Sequence, residues 1–295
     1  MPAAVIDCCH LGTPKSIGCW LIDGEQPVIV DPGPEITLNT MLEGLGGHGL
    51  GLTDLAGVLL THIHLDHAGA AGRLVELHPD LPIYVHEIGA QHLVEPSKLL
   101  ASAGRLYGGR LDEVWGKFLA VPAGNIRRLS GGEQLKFGER SLRVEYTPGH
   151  ASHHVCFLDE SEGAAYEGDV AGIRIPPSQY TVPPTPPPDV DIEEWSSSIA
   201  LVEAWQPTAL RLTHFGEVGE IGVHLNSLRE ALSSWSDRVR ITLDSDDLEA
   251  IEDFKIWVRE RLRHEMDVEL AATYEQVAPP DQLWLGLARY WRKRL

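Results

Sequence analysis

The sequence predicts an α/β protein in which two β-sheets are sandwiched between helices, with a helical appendage at the C-terminal end. Three observations carry this. Short β-rich runs and helical stretches follow one another as meander then helix in each half of the chain, and two sheets covered by helices are the layer arrangement that buries such an order. Several apolar strand runs end directly on histidine or aspartate. Beyond residue 217 the apolar spacing is helical throughout, as in Ile251, Phe254, Val258 and Leu262.

The first meander comprises Val5 to Cys9, Gly18 to Asp23 and Val28 to Val30, closed by the turn Asp31-Pro32-Gly33. A helix is expected from Ile36 to Leu45. The buried run Val58-Leu59-Leu60-Thr61 then leads straight into His62, and a helix over Ala68 to Leu77 and a strand over Ile83 to His86 complete a β-α-β pattern. Residues 87–118 carry helical spacing with interspersed glycines and read as an inserted helical hairpin able to roof a pocket. The second meander runs Gln134 to Phe137, Leu142 to Tyr146, His154 to Leu158 and Ala164 to Tyr166. Seven prolines in residues 176–188 stiffen a loop by fixing φ and removing donors. Asp191 and Glu194 have capping-box spacing for a helix with Ile192, Trp195, Ile199 and Val202 on its apolar face, and Leu210-Arg211-Leu212-Thr213 is a strand delivering His214. The expected organisation is a catalytic unit over 1–216 and a helical region over 217–295.

Bulk properties narrow the function. The 295 residues are enough to bury a substantial core. No apolar run approaches the roughly 20 residues that span a bilayer, and the start Met1-Pro2-Ala3-Ala4 lacks the basic and apolar stretches of a secretory signal, so the expected compartment is the cytoplasm. A net charge of -19 disfavours nucleic acid and anionic membrane as partners. The one basic cluster, Arg289, Arg292, Lys293 and Arg294, lies at the end of the terminal helix, where positive charge opposes the helix dipole. The four cysteines have no C-x-x-C spacing and read as small apolar fillers. The tryptophans at 195, 205, 257, 284 and 291 fall on helical stripes as packing anchors, and the aromatic terminal helices offer a surface for a homodimer.

The segment Thr61-His62-Ile63-His64-Leu65-Asp66-His67 places four potential metal ligands in six positions between a strand and a helix. His62 and His64, alternate residues leaving a strand, face one side and can converge on one ion, while Asp66 and His67 lie past the turn and can reach a second. Imidazole and carboxylate suit zinc, and a set without cysteine suits a catalytic site that keeps a position open for water. The same donors accept manganese or iron.

This cluster resembles the H-x-H-x-D-H signature of the metallo-β-lactamase superfamily. His150 in Thr147-Pro148-Gly149-His150, Asp169 after Gly168, and His214 in Thr213-His214-Phe215-Gly216 resemble the family's later ligand motifs, in order, over residues 5–216. The resemblance implies a four-layer αββα sandwich. It also implies that His62, His64 and His150 hold a first divalent ion and Asp66, His67 and His214 a second, with Asp169 as bridge and Asp31 orienting a ligand imidazole. Two ions about 3.5–4 Å apart make hydroxide available near neutral pH, with Asp66 as proton acceptor. The implied activity is hydrolysis of an ester, thioester or lactone in a small molecule, as in the glyoxalase II-like and lactonase branches.

Other readings use the same residues. Phosphodiester or phosphotriester cleavage is disfavoured by the acidic composition, and an antibiotic-degrading β-lactamase by the missing export signal. An iron oxygenase resembling the persulfide dioxygenases would need only His62, His150 and Asp169, and the long helical C-terminus favours hydrolysis over it. A catalytically dead scaffold would be expected to have lost ligands. Tyr107, Tyr180 and His224 are candidate substrate contacts in the insert, the proline loop and the C-terminal region. His153 and His154, directly after the His150 motif, are expected to play a structural or ligand-orienting role rather than to bind metal, and His86, His92 and His264 to be ordinary polar residues.

Overall fold

The computed structural model describes residues 3–295. One six-stranded sheet runs in chain order: β1 (Ala4–Asp7), β2 (Gly18–Ile22), β3 (Val28–Val30), β4 (Gly57–Leu59), β5 (Ile83–His86) and β6 (Ile126–Leu129). The first two pairings are antiparallel and the other three parallel. Parallel neighbours need crossovers, and helices supply them: α1 (Leu38–Gly47) between β3 and β4, then α2 (Leu65–Ala68) and α3 (Ala71–Leu77) between β4 and β5. The predicted insert follows β5 as α4 (Glu87–Val94), α5 (Ser97–Tyr107) and α6 (Leu111–Trp115).

The second six-stranded sheet comprises β7 (Gln134–Phe137), β8 (Arg140–Tyr146), β9 (Val155–Asp159), β10 (Ala164–Gly168), β11 (Ala209–Leu212) and β12 (Gly216–Val218). Only β10 and β11 pair in parallel, and α7 (Ile192–Ala204) makes that crossover. Four helices follow: α8 (Ile221–Arg240), α9 (Asp247–Glu265), α10 (Val268–Val277) and α11 (Pro280–Arg292).

The period-2 alternation of side chains assigns each strand to two cores. Trp20, Ile22, Val30 and Leu59 of one sheet meet Val144, Val155, Phe157 and Tyr166 of the other between the sheets. Their neighbours Cys19, Leu21 and Val58 face outward onto Met41, Leu45 and Leu74 of α1 and α3, and Cys156 and Leu158 face Trp195, Ile199 and Leu228 of α7 and α8. Covering both faces of each sheet explains why β2, β3, β4, β9 and β10 are buried at every position. The layers are αββα, as the resemblance implied. Cys8, Cys19 and Cys156 are buried free thiols.

Three details differ from the sequence reading. Residues 217 and 218, expected to be helical, extend the second sheet as β12, pairing Leu210 with Val218. Helix α8 then serves two cores: Leu225, Leu228 and Leu232 pack on the second sheet, whereas Ala231, Trp235 and Val239 join α9 to α11 and Ile173, Val182 and Val190 beside the proline loop. Second, Asp191 does cap α7 by accepting the Glu194 N–H (3.1 Å), but the reciprocal half of the box is missing because the Asp191 N–H donates to the Gly149 carbonyl instead (2.8 Å). Third, the basic cluster does more than oppose a dipole. Arg294 pairs with Asp191 and Glu193 (2.8 Å each), Arg292 with Asp247, and Arg289 donates to the Pro188 carbonyl (3.1 Å), tying α11 to α7, α9 and the proline loop.

Candidate metal centre and its cavity

All seven predicted ligands stand just beyond strand ends. His62 follows β4, His64 immediately precedes α2, and Asp66 and His67 occupy its single turn. His150 follows β8, Asp169 directly follows β10 and His214 follows β11. Two glycines allow the strand ends to close in. Gly149 has φ +132°, and a Cβ there would stand 2.2 Å from the Trp195 Cα. Gly168 has φ +49°, and a Cβ there would stand 2.4 Å from the Thr61 hydroxyl. Both demand glycine.

The side chains gather into two groups: His62, His64, His150 and Asp169, and Asp66, His67 and His214. In the first, His64 Nδ1 lies 3.0 Å from His62 Nε2 and 2.9 Å from His150 Nε2. Asp169 faces both groups. Its Oδ2 is 3.2 Å from His150 Nε2, and its Oδ1 is 3.2 Å from His67 Nε2 and 3.5 Å from His214 Nε2. Asp66 Oδ2 lies 3.4 Å from His214 Nε2 and 3.8 Å from His67 Nε2. Ligand atoms 2.0–2.1 Å from a tetrahedral zinc stand about 3.3 Å apart, so the spacing fits a metal. His67 Nε2 and Asp169 Oδ1 are buried and make no hydrogen bond, which is costly for polar atoms that nothing coordinates.

The opposite nitrogens fix which atoms face inward. His150 Nδ1 donates to the Pro184 carbonyl (2.8 Å) and His214 Nδ1 to the Ser16 carbonyl (2.6 Å). His67 Nδ1 donates to Asp31 Oδ2 (2.7 Å). Asp31 also accepts from the Thr61 N–H (2.8 Å), the Thr61 hydroxyl (2.7 Å) and the Thr213 hydroxyl (3.0 Å), and with its proton committed there, Thr61 Oγ1 accepts from His62 Nδ1–H (3.1 Å). Each of these four imidazoles therefore commits its outer nitrogen to a donated hydrogen bond and turns the other nitrogen inward, the orientation a metal ligand needs. The Asp31 contact to His67 is the one the resemblance implied. The Ser16 and Pro184 carbonyls, Thr61 and Thr213 were missed.

Electrostatics divide the two groups. Burial, then neighbouring imidazoles, pushes His62 far down and His64 to about 4, leaving both neutral. Burial would also lower His67, but Asp169, Asp31 and Asp66 outweigh it and lift it well above the ordinary value. His214 is raised against the same opposition by its hydrogen bond with Asp66 and the charge of Asp169. Asp66 and Asp169 are held low despite burial, chiefly by His67. Without metal, this second group stores protons as its counter-charge, and a cation replaces them.

Above the ligands opens a cavity of about 370 Å³. Its walls come from the helical insert, the proline loop and helices α10 and α11, so the insert does roof the pocket. Tyr107 lines it, donating its hydroxyl to Gln282 Oε1 (3.1 Å). Two other expected substrate contacts lie elsewhere. Tyr180 is turned into the C-terminal helices, where its hydroxyl accepts from Arg261 (2.8 Å) and its carbonyl from Tyr274 (2.8 Å). His224 is buried on α8, donating to the Ala171 carbonyl (2.7 Å) and accepting from Thr181 (3.3 Å). Conversely, His92, read as ordinary, lines the cavity, as does His153, whose Nδ1 is buried without a partner among the described residues. His154 accepts from the Asp169 N–H (3.2 Å) and so helps to position Asp169. Its place directly after the His150 motif points to such a supporting role.

A family model described as the metallo-beta-lactamase superfamily matches residues 12–214. The chain belongs to this superfamily. Among curated proteins it is similar to the probable metallo-hydrolase YqgX of Bacillus subtilis (strain 168), 33% identical over 152 residues, or 51% of this chain and 64% of that protein. It is also similar to a hydroxyacylglutathione hydrolase of Francisella philomiragia subsp. philomiragia, 30% identical over 115 residues, or 39% of this chain and 33% of that one. The chain thus spans less than two thirds of either relative's length. Among solved structures, the metallo-beta-lactamase family protein TTHA1429 from Thermus thermophilus superposes with a TM-score of 0.74 over 99% of this chain and 93% of that one at 19% identity. That likeness extends the shared fold through the C-terminal helices.

Proposed function

We propose that this chain is a dinuclear metal-dependent hydrolase of an ester, thioester or lactone carbonyl. The observation that carries the reading is Asp169, whose two oxygens face the two ligand groups at 3.2 Å from His150 and 3.2 Å from His67, so that one carboxylate could serve both groups if each held an ion. Divalent ions bound there, with zinc favoured by the donor set, supply a Lewis acid for the carbonyl and lower the pKa of water towards neutrality. The names of the two hydrolase relatives support the reaction class, and the Francisella relative favours a thioester.

The chain's own residues do the rest. His62, His67, His150 and His214 are locked by their outer hydrogen bonds and keep the floor preorganised. Asp66 is more open than Asp169, with 21% of its side chain accessible against 4%, and it lines the cavity. Its carboxylate is ionised, so it can take the proton that water loses as oxygen adds to the carbonyl carbon, and return it to the departing oxygen or sulfur. Tyr107, edge-on to Trp115, has its phenol pushed up by burial and stays a neutral hydrogen-bonding group in the wall.

The test is elemental analysis of the purified protein together with a panel of thioester, lactone, aryl ester and phosphodiester substrates. Two divalent ions per chain with one strong carbonyl-ester activity is the expected result. One iron per chain with no hydrolysis would overturn it.

A further inference from the structure

Helix α5 presents one face to the cavity: Lys98, Leu99, Ser102, Ala103, Arg105 and Leu106 all line it. Positions spaced by three, four and seven share a helix face, and Lys98 and Arg105 stand two turns apart, about 10.5 Å along the axis. Both are exposed at the rim. They are also uncompensated. Arg211, Arg229, Arg259 and Arg294 each hold a carboxylate at 2.6–2.8 Å, as befits a chain of net charge -19. The Arg105 guanidinium reaches only the Ser102 hydroxyl, one turn back on its own helix (3.2 Å). Among the described residues no carboxylate forms an ion pair with either cation. The carboxylates that line the cavity are Asp66 and Asp169 in the metal centre and Asp189, whose Oδ2 is engaged by the Ser152 hydroxyl (2.6 Å).

The same cavity is lined by apolar side chains, among them Leu99, Leu106, Trp115 and Leu283. We propose that Lys98 and Arg105 form an anion-recognising rim, so that the substrate is an ester or thioester with an apolar segment in the cavity and a carboxylate or phosphate at its mouth. The proposal rests on the hydrolase reading and narrows it. In the reaction, water adds to the acyl carbon, the C–S or C–O bond breaks, the leaving sulfur or oxygen takes a proton, and the acid product ionises. Exposed charges attract weakly at equilibrium, but two cations lining the same cavity, neither in an ion pair with a carboxylate, steer an anion and discriminate against neutral analogues.

The test uses the metal-loaded protein and three thioesters with one acyl chain: S-hexanoyl-N-acetylcysteamine, which is neutral, S-hexanoylglutathione, which carries carboxylates, and hexanoyl-coenzyme A, which carries phosphates. At low salt kcat/KM for an anionic thioester is expected to exceed that for the neutral one by about tenfold, and the anion preferred names the group recognised. Lys98→Met and Arg105→Met should each shrink that ratio by roughly three- to fivefold through KM, an effect expected of exposed ion pairs, and added salt should mimic them. Binding of S-hexylglutathione and hexyl phosphate against 1-hexanol, followed by tryptophan fluorescence, reads the rim without turnover. Hydrolysis with equal preference for neutral and anionic thioesters, unchanged in both variants, would overturn the rim. Charge-dependent binding with no hydrolysis of any thioester would keep the rim and remove the reaction assigned to the floor.

Discussion

Glu167 is a carboxylic acid in an apolar place. It is fully buried near the end of β10, its Oε1 has no partner, and its Oε2 accepts only the Cys156 thiol (3.1 Å). Burial pushes it from the ordinary 4.5 to about 7, and the thiol hydrogen bond opposes this only in part. A folded-state value above the unfolded one means the contribution to stability is intact below pH 4.5, is lost progressively as pH rises, and levels off above pH 7. At about 1.36 kcal/mol per pH unit, ionising Glu167 in the fold costs about 3 kcal/mol. Glu167→Gln removes the charge and keeps the shape. Any cost of burying the amide is the same at every pH, so the informative quantity is how the difference between variant and parent changes. Relative to the parent, Glu167→Gln should gain about 3 kcal/mol between pH 4.5 and pH 8. With an unfolding entropy on the order of 0.6 kcal/mol per kelvin for a chain this long, the gain is about 5 °C in melting temperature. Calorimetry or circular dichroism melts of both proteins across that range measure it, in metal-loaded and chelator-treated forms. Parallel pH profiles would refute the reasoning.

Other perturbations test the floor. Asp169→Ala should abolish hydrolysis and lower metal content measured by elemental analysis, with the far-ultraviolet circular dichroism spectrum unchanged; wild-type-like turnover would overturn the bridge. Asp31→Asn places an amide where four donors converge, and metal affinity measured by competition with a chelating dye should fall about 10- to 100-fold. Gly149→Ala puts a Cβ against the Trp195 backbone at a φ that disfavours side chains, and should destabilise by about 2–5 kcal/mol in denaturant titration while displacing His150.

The sequence was most legible where the chemistry needs particular side chains at strand ends. His62, His64, Asp66, His67, His150, Asp169 and His214 converge because their motifs are short and sit directly after apolar strands. What holds them was much less visible. The Ser16 and Pro184 carbonyls lie 198 and 34 residues from the imidazoles they receive, and a backbone carbonyl leaves no mark in a sequence. Tyr180 was misplaced because a tyrosine in a proline-rich loop gives no sign of which way the loop turns, and here Arg261 and Tyr274 hold it among the C-terminal helices. Strand β6 went unread because only its ends are buried, Ile126 and Leu129 flanking two exposed arginines, which breaks the alternation that marks a strand.

The floor and the walls of the cavity belong to different parts of the chain. Every metal-facing side chain leaves a strand end or the turn after one, whereas the walls above come from 87–118, the proline loop and the last two helices. The residues that would hold metal and most of those that would meet a substrate are therefore carried by different segments. Lengthening the insert would redraw which molecules enter while leaving the strand ends in place, whereas the proline loop serves both levels, since its Pro184 carbonyl receives the His150 Nδ1–H while Pro184 also lines the cavity.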